Sequence, residues 1–380
     1  MDREYNIFVL GAGFSVPAKL PLASDLWQMI LVESKKSKTR NNASYTMYDN
    51  ILQGDIDSFI EYQNSAISRT LKINNEDEIN LEEFISYLDI EEHLRLLGSD
   101  HWSDAGNQSQ ILIRNYIAKI IYEQQSKMKV SDQKLYDQFV KLLKPNDLIV
   151  TFNYDTLIED AFERNNIPFR YYWQKFSSVD QDGSGIIDTN NEDIILHKMH
   201  GSIDWISDKH FTSKSDLCIW TKARERFSPK RIIASPFQEP NELQYIYRIN
   251  NLSTYFSLNE PVLESPFIIS PSFNKIVYLN PLRELWRGFI SNGHFSKHLV
   301  FIGFSLPQHD DYIRQPLYYL AKNFESTAKY DNKRISVIDY QLELDKKENF
   351  KENYCFLDLE LTDYYFDGFS SEVLNKIFNR

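Results

Sequence analysis

Residues 5–15 read YNIFVLGAGFS, a strand-like run of six residues that leads into a turn with two glycines. Short apolar runs rich in β-branched residues are typical of buried parallel strands. The amphipathic stretch 21–33, PLASDLWQMILVE, follows and predicts a helix. The chain therefore opens with a strand, a tight turn and a helix, the unit from which wound α/β sheets are built.

Further strand-like runs occur along the chain, and several are followed by helical patterns. They lie at 147–152, 193–199, 265–270, 298–304 and 334–340. Strand followed by helix, repeated, predicts an α/β fold with a Rossmann-like parallel sheet covered by helices on both faces.

After the first unit the sequence predicts helices and no convincing strand for over a hundred residues. In the stretch 80–98, Asn80 suits an N-cap and an apolar stripe follows at helical spacing. We therefore predict a helical insertion module at 31–144, within a discontinuous Rossmann-like domain formed by 1–30 and 145–380.

Charge and cysteine content exclude several classes of protein. With 42 basic and 54 acidic residues the net charge is -12, which disfavours direct nucleic-acid binding because such binding depends on neutralising phosphates. No stretch approaches the roughly 18 apolar residues of a membrane span, and the opening MDREYNIF lacks a signal core. We expect a cytoplasmic protein. Two cysteines, Cys218 and Cys355, cannot build a four-thiolate zinc site, and no metal site is predicted.

The glycine turn has the composition of an anion site. Gly11 can take a positive φ, Gly13 lets the backbone approach a ligand closely, and the N–H groups that open the next helix suit a pyrophosphate. A tight turn without a ligand is the alternative. The dehydrogenase fingerprint is incomplete, because Val16 replaces its third glycine and no acidic strand end follows about 20 residues later.

Polar residues follow the second strand, in LIVTFNYD at 148–155. Asn153 and Asp155 lie just beyond its carboxyl end, where open α/β sheets bind ligands. The alternative is that both residues merely cap the helix that begins near Thr156.

A third candidate site ends the run IILHKMHGSIDW at 194–205. His200 suits a general base near neutral pH. A metal pair with His197 is the alternative, but no further ligands accompany the two histidines and strand alternation turns them to opposite faces. We interpret His197 as structural.

Two later strands also end in polar or small residues. Gly303 and Ser305 can approach a phosphate or ribose, and the carboxylate of Asp339 can accept hydrogen bonds from a ribose diol. Each of these residues alone is as compatible with a purely structural role.

Taken together and in order, GAGFS, TFNYD, MHGSIDW, GFSL and VID resemble the sirtuin family, and most closely the divergent bacterial sirtuin-like NADases of anti-phage systems. The resemblance implies a sirtuin-type Rossmann-like sheet and NAD as the substrate. It implies that His200 is the general base and that Asn153 and Asp155 line the nicotinamide and its ribose. The residues implied to hold the rest of the NAD are Gly11, Ala12, Gly13, Phe14, Ser15, Gly303, Ser305 and Asp339.

Departures from the family distinguish its activities. Deacylating sirtuins carry a four-cysteine zinc module, and they have glutamine where this chain has Phe152. We therefore expect an NAD+ hydrolase that releases nicotinamide and ADP-ribose, acting as an anti-phage effector by NAD depletion. The alternatives are an NAD-dependent protein deacylase and a non-catalytic module that senses NAD or ADP-ribose.

An unregulated NADase would kill its own cell, so we expect control through assembly. The resemblance implies a homo-oligomer or a separately encoded partner such as a HerA-type ATPase.

Overall fold

The computed structural model describes residues 5–38, 43–67, 72–94, 96, 102–103, 106–172, 176–179, 185–187, 192–207, 230–231, 246–257, 266–273, 286, 288–306, 310–331 and 333–378. A seven-stranded sheet forms its centre. The strands of this sheet are β1 (Tyr5–Leu10), β4 (Leu148–Thr151), β5 (Phe169–Tyr171), β8 (Ile194–Lys198), β12 (Ser296–Ile302), β13 (Arg334–Ile338) and β14 (Thr362–Tyr365).

The order across the sheet is β14-β13-β12-β1-β4-β8-β5, and every neighbouring pair is parallel. From β1 the chain adds β4, β5 and β8 on one side and then crosses to β12, β13 and β14 on the other. The direction of winding therefore reverses at β1, and connections that diverge there leave a crevice at the carboxyl ends of the strands.

Helices cover the sheet and fill the stretch between β1 and β4. They are α1 (Ala23–Lys38), α2 (Ala43–Ser65), α3 (Leu81–Leu94), α4 (Gln108–Ser126), α5 (Val130–Leu142), α6 (Leu157–Arg164), α7 (Leu252–Ser257), α8 (Asn292–Phe295), α9 (Asp311–Asp331), α10 (Leu344–Glu352) and α11 (Ser371–Phe378). Short 3-10 helices occupy Ala12–Ala18 and Glu76–Glu78. The α/β, Rossmann-like fold predicted from the sequence is confirmed.

The remaining strands are short and lie outside the central sheet. They are β2 (Trp102–Ser103), β3 (Gly106–Asn107), β6 (Phe176–Val179), β7 (Gly185–Ile187), β9 (Trp205–Ser207), β10 (Lys230–Arg231) and β11 (Ile246–Arg248), and each is antiparallel to a neighbour.

Five of the six predicted strands are present with ends within two residues of the prediction. The strand predicted at 265–270 is wrong for the part that the structure describes. Residues 266–270 are not a strand, and Ile268 makes only an isolated antiparallel bridge with Gly201. Ile268 and Ile269 are instead buried side chains of an irregular segment that bridges to Gly201, just after β8.

The region between β1 and β4 is largely helical, as expected, with only β2 and β3 interrupting the helices in its described part. Asn80 caps α3, since its Oδ1 accepts the backbone N–H of Glu82 at 2.9 Å and of Glu83 at 3.1 Å. One apolar core joins these helices to the sheet, from Phe8 on β1 to Phe84 on α3. The division into a Rossmann-like domain and an insertion module stays a prediction.

None of the helices in the described ranges is both long and apolar enough to cross a membrane. The same ranges contain no group of three or more His, Cys, Asp or Glu side chains arranged to hold a metal ion. Cys355 is exposed, and Cys218 lies outside the described residues.

Candidate functional site

The residues that follow six of the seven central strands open into one cavity of about 720 Å³. This volume lies within the range of about 300–1,000 Å³ that is common for ligand pockets. The lining includes all but one of the residues selected from the sequence, namely Gly11, Ala12, Gly13, Ser15, Asn153, Asp155, His200, Gly303, Ser305 and Asp339.

The cavity is elongated across the sheet. Asp339 follows β13 and His200 follows β8, and these two strands are four strand positions apart. At roughly 4.8 Å between neighbours the two ends are about 19 Å apart. The site therefore has the dimensions of an extended ligand, with the glycine turn of β1 midway along it.

The glycines of the β1 turn are explained by contact with a second turn. Gly11 N donates to Ile302 O at 3.0 Å and Gly13 N donates to Gly303 O at 2.8 Å. A Cβ on Gly13 would lie 2.7 Å from the Cα of Gly303, so the two backbones are in direct contact. The close approach predicted at Gly13 is thus an approach to protein backbone.

The conformations of the two turns differ from the prediction. Gly11 has φ −109°, so the positive φ expected there is wrong. Gly303 has φ +60° and takes the left-handed conformation instead. The turn after β12, which contacts the β1 turn, is therefore the one that requires glycine for its dihedral angles.

Phe14 points away from the cavity. Its side chain is buried in the core, with ring centroids 5.3 Å from Tyr136, 5.5 Å from Phe139 and 4.4 Å from Phe369. The 3-10 helix places neighbouring side chains about 120° apart, which directs Ser15 to the cavity and Phe14 to the core. Its contacts with Tyr136 and Phe139 pack the turn against α5.

Asn153 connects the end of β4 to the β1 turn. Its Nδ2 donates to Gly11 O at 2.8 Å and to Ser15 Oγ at 3.0 Å. Both protons of the amide group are used in these bonds, so the carbonyl Oδ1 is the acceptor that Asn153 offers to a ligand. Asn153 does not cap the following helix.

Asp155 has two structural bonds. Its Oδ2 accepts from the hydroxyl of Ser15 at 2.7 Å, and its Oδ1 accepts the backbone N–H of Leu157 at 3.1 Å. The capping alternative therefore holds for Asp155, and the same carboxylate also fixes Ser15 at the cavity wall. Asp155 is buried, so these bonds form in a medium of low dielectric constant.

His200 lies at the other side of Asn153, at the end of β8. Only 6% of the residue is exposed. Its ring centroid is 5.1 Å from that of Phe152 and 6.2 Å from that of Tyr312, and Phe152 stacks on Phe304 at 4.9 Å. Aromatic rings thus form an apolar wall around the His200 imidazole at this end of the cavity.

His197 lies in the core rather than at the cavity. It is fully buried, stacks on Tyr172 at 4.1 Å and is not part of the cavity lining. Nothing in the described residues groups the two histidines around a metal.

The Asp339 end of the cavity is more polar. Gln341 Nε2 donates to Asp339 Oδ2 at 2.8 Å, and Asp367 lines the same end. Burial raises the pKa of the Asp339 carboxyl, while the hydrogen bond from Gln341 lowers it. Asp339 is half-buried and accessible to hydroxyl donors from the cavity.

A buried ion pair beneath the site was missed in the sequence. Lys198, on β8, donates to Asp155 O at 2.5 Å and to Glu159 Oε1 at 2.9 Å, and neither ionised side chain is more than 1% exposed. Burial raises the pKa of Glu159, and the charge of Lys198 opposes that rise. The lysine inside the apolar run IILHKM indicates a buried positive charge, which requires a negatively charged partner.

A parallel sheet whose winding reverses at β1, with a cavity along its carboxyl edge, defines an α/β protein of the Rossmann-like class. Residues 147–357, more than half of the chain, match the SIR2-like domain, and the chain belongs to this family. Proteins with SIR2-like domains are usually NAD-dependent enzymes. No curated protein matches the chain.

The matched region begins just before β4 and therefore leaves out β1 and its glycine turn. The structure joins the two, because the turn bonds to Ile302 and Gly303 inside the matched region and accepts from Asn153.

Proposed function

We propose that the protein is an NAD+ hydrolase that cleaves the nicotinamide–ribose bond to give nicotinamide and ADP-ribose. One observation carries the proposal. Asn153 and His200, on neighbouring strands, line the same elongated cavity as the glycine turn and Asp339. A site of this shape offers binding groups along its length and the imidazole of His200 at one end.

The residues of the cavity fit an extended dinucleotide. Backbone groups of the β1 and β12 turns lie midway, where a pyrophosphate would lie, and Ser305 lies beside them. Asp339 suits an adenosine ribose, because a carboxylate accepts hydrogen bonds from a diol. This arrangement leaves the nicotinamide ribose between Asn153 and His200.

Cleavage of the nicotinamide–ribose bond develops positive charge at the anomeric carbon. The Oδ1 of Asn153 would accept a hydrogen bond from the attacking water or from a ribose hydroxyl and so hold it in place. His200 would take the proton of the water as its oxygen bonds to the anomeric carbon. The electron pair of the broken bond leaves with nicotinamide, which becomes neutral.

The departure from deacylating sirtuins at Phe152 favours water over an acylated peptide as the acceptor. Phe152 occupies the position of the glutamine in deacylating sirtuins, and its ring packs against both His200 and Phe304. The aromatic wall keeps bulk water away from the reacting centre, which strengthens the electrostatic contribution of the polar groups there.

The experiment that tests the proposal identifies the acceptor. The purified full chain is incubated with NAD in heavy-oxygen water, with and without an acetylated peptide, and the products are analysed by mass spectrometry. Hydrolysis gives nicotinamide and labelled ADP-ribose in equal amounts without the peptide. Acylated ADP-ribose that forms only with the peptide would establish a deacylase, and saturable binding without products would establish a sensor.

We further propose that NAD depletion by this enzyme serves anti-phage defence, and that its activity is controlled by a homo-oligomer or a separately encoded partner such as a HerA-type ATPase. An enzyme that destroys NAD needs such control. Native co-purification identifies the partner, and infected cells should lose NAD only when Asn153 and His200 are intact.

A further inference from the structure

The segment 266–273, which we call the strap, is bonded to the backbone around His200. Ile269 N donates to His200 O at 2.9 Å, and Ser202 N donates to Phe267 O at 3.0 Å. Gly201 lies between these bonds at φ +79°, and a Cβ there would lie 2.0 Å from Phe267 O. The strap therefore holds the backbone on both sides of Gly201, including that of His200.

Tyr154 adds a third bond at this end, since its hydroxyl donates to Ile269 O at 2.6 Å. Tyr154 directly follows Asn153, so the strap is bonded to the backbone of one proposed catalytic residue and to the chain neighbour of the other. Its residue Pro271 also lines the cavity.

The other end of the strap is bonded to α3, a helix of the predicted insertion module. Phe273 N donates to Ser86 Oγ at 2.8 Å, and the hydroxyl of Ser272 donates to Asp89 Oδ2. Asp89 also accepts from Gln110 Nε2, on α4, at 2.7 Å. Asp89 is 1% exposed and Ser272 is 2% exposed, so these bonds are shielded from water.

The spacing of polar residues along α3 explains why this helix can both border the cavity and hold the strap. Glu82, Ser86 and Asp89 recur at intervals of four and three residues and therefore lie on one face. Glu82 itself lines the cavity, as does Pro271 of the strap. A single polar stripe of α3 thus borders the cavity at one end and holds the strap at the other.

We infer that Asp89 and Ser272 are positioning residues for His200. Through the strap, α3 sets where the His200 backbone lies relative to Asn153. The effect on turnover rests on the proposed function. The coupling of α3 to the His200 backbone through the strap does not. A partner that displaces α3 would therefore change the position of His200 without contacting the cavity.

The test uses Ser272→Ala in the full chain, with hydrogen–deuterium exchange as the first readout. Ser272→Ala removes the bond to Asp89 and the contact with Ser86 Oγ at 3.2 Å, and it leaves the backbone bonds of the strap in place. Ser109→Ala is the control, because the hydroxyl of the buried Ser109 makes a comparable bond to the partly buried Asp55, at 2.5 Å, and makes no bond to the strap in the described residues. Ser272→Thr keeps the hydroxyl and serves as the rescue.

In Ser272→Ala we expect the amides of Ser202 and Ile269 to exchange at least roughly tenfold faster, because local opening becomes easier, while amides of β1 and β12 keep their protection. Ser109→Ala should leave both amides unchanged, and Ser272→Thr should restore them. Unchanged exchange at Ser202 and Ile269 in Ser272→Ala would overturn the inference, whatever the activity.

NAD hydrolysis is the second readout. Ser272→Ala should lower kcat by roughly 10- to 100-fold, as a small displacement of a catalytic group does, and leave KM within about threefold, because the binding groups lie on other strands. A rise in KM with unchanged kcat would overturn the positioning role. A wild type that exchanges as expected but releases no nicotinamide would contradict the proposed function alone.

Discussion

The amide Nδ2 of Asn153 donates to the carbonyl of Gly11 at 2.8 Å and so joins the ends of the adjacent strands β4 and β1. Because the acceptor is a carbonyl oxygen, the orientation of the amide group is fixed and Oδ1 faces the ligand side. One bond thus couples the glycine turn to the residue proposed to hold water or ribose.

The first prediction concerns that bond. In Asn153→Asp the carboxylate has no proton to donate to Gly11 O or Ser15 Oγ, so two acceptors would face each other. We expect a loss of about 1–3 kcal/mol in the free energy of unfolding, measured by urea denaturation, together with loss of NAD cleavage. Asn323→Asp is the control, because Asn323 donates to Ile290 O at 3.0 Å at the surface, where water can replace the lost donor. Equal losses in both variants would contradict the prediction.

The contact between the two turns gives the second prediction. Gly303→Ala places a Cβ 2.3 Å from the backbone of Gly13, at a φ of +60° that alanine adopts only with strain. We expect a loss of at least about 2 kcal/mol in unfolding free energy and weaker NAD binding. Gly54→Ala, in α2, has open space around the new Cβ and should stabilise the protein by about 0.5–1 kcal/mol. A neutral Gly303→Ala would show that the turns are not in contact.

The third prediction concerns the ion pair beneath the site. Lys198→Met leaves the Glu159 carboxylate buried without its cation, which should lower the free energy of unfolding by about 3–5 kcal/mol. Adding Glu159→Gln removes the uncompensated charge, so the double variant should be more stable than Lys198→Met alone. Lys346→Met breaks an exposed pair with Glu343 and should cause no measurable change. A double variant no more stable than Lys198→Met would rule out the pairing as the cause.

A fourth prediction follows from Asp147, at the start of β4. Its carboxylate accepts from Asn6 N at 2.7 Å and from Lys144 N at 2.8 Å, yet burial raises its pKa from the ordinary 3.8 to about 6. A carboxyl whose pKa is higher in the folded state stabilises the fold below its unfolded pKa, and that stabilisation is lost as the pH rises through the folded pKa.

The wild type should therefore lose up to about 3 kcal/mol relative to Asp147→Asn between pH 3 and pH 7, at 1.36 kcal/mol for each unit of the pKa shift. Urea denaturation of both proteins across this range measures the difference. A difference in stability that stays constant with pH would show that the pKa of Asp147 is not raised in the folded protein.

Most of the candidate site could be predicted from the sequence because of one physical regularity. The carboxyl ends of parallel strands meet at one edge, so a polar residue directly after each apolar run belongs to a common site. This rule selected Asn153, His200 and Asp339 as candidates, with Gly303 as a small residue at an equivalent position, and all four line the cavity. Their roles in binding and catalysis stay predictions.

The failures have equally definite causes. The direction of Phe14 depends on the 3-10 conformation of its turn, which the glycine pattern does not specify. The edge strands β5 and β14 were missed because they are short, and β14 reads TDYY with half-buried side chains throughout. The run at 265–270 resembled a strand because it is short and apolar. In its described part Ile268 and Ile269 are buried, but the backbone bonds to the His200 turn instead of joining the sheet.

Contacts between segments that are far apart in the sequence could not be predicted. Lys198 pairs with Glu159, 39 residues earlier, and Ser272 bonds to Asp89, 183 residues earlier. The sequence of α3 contains a polar stripe at Glu82, Ser86 and Asp89 beside its apolar stripe. Nothing in the sequence indicates that the strap is the segment that bonds to it.

Nicotinamide release by the purified full chain tests the central claim most directly. Wild type, Asn153→Ala and His200→Ala are incubated with NAD, beside His294→Ala and Asn323→Ala, which alter a histidine and an asparagine outside the cavity. We predict that release falls at least about 100-fold in both site variants and stays at the wild-type rate in both controls. Release that survives both Asn153→Ala and His200→Ala would contradict the account.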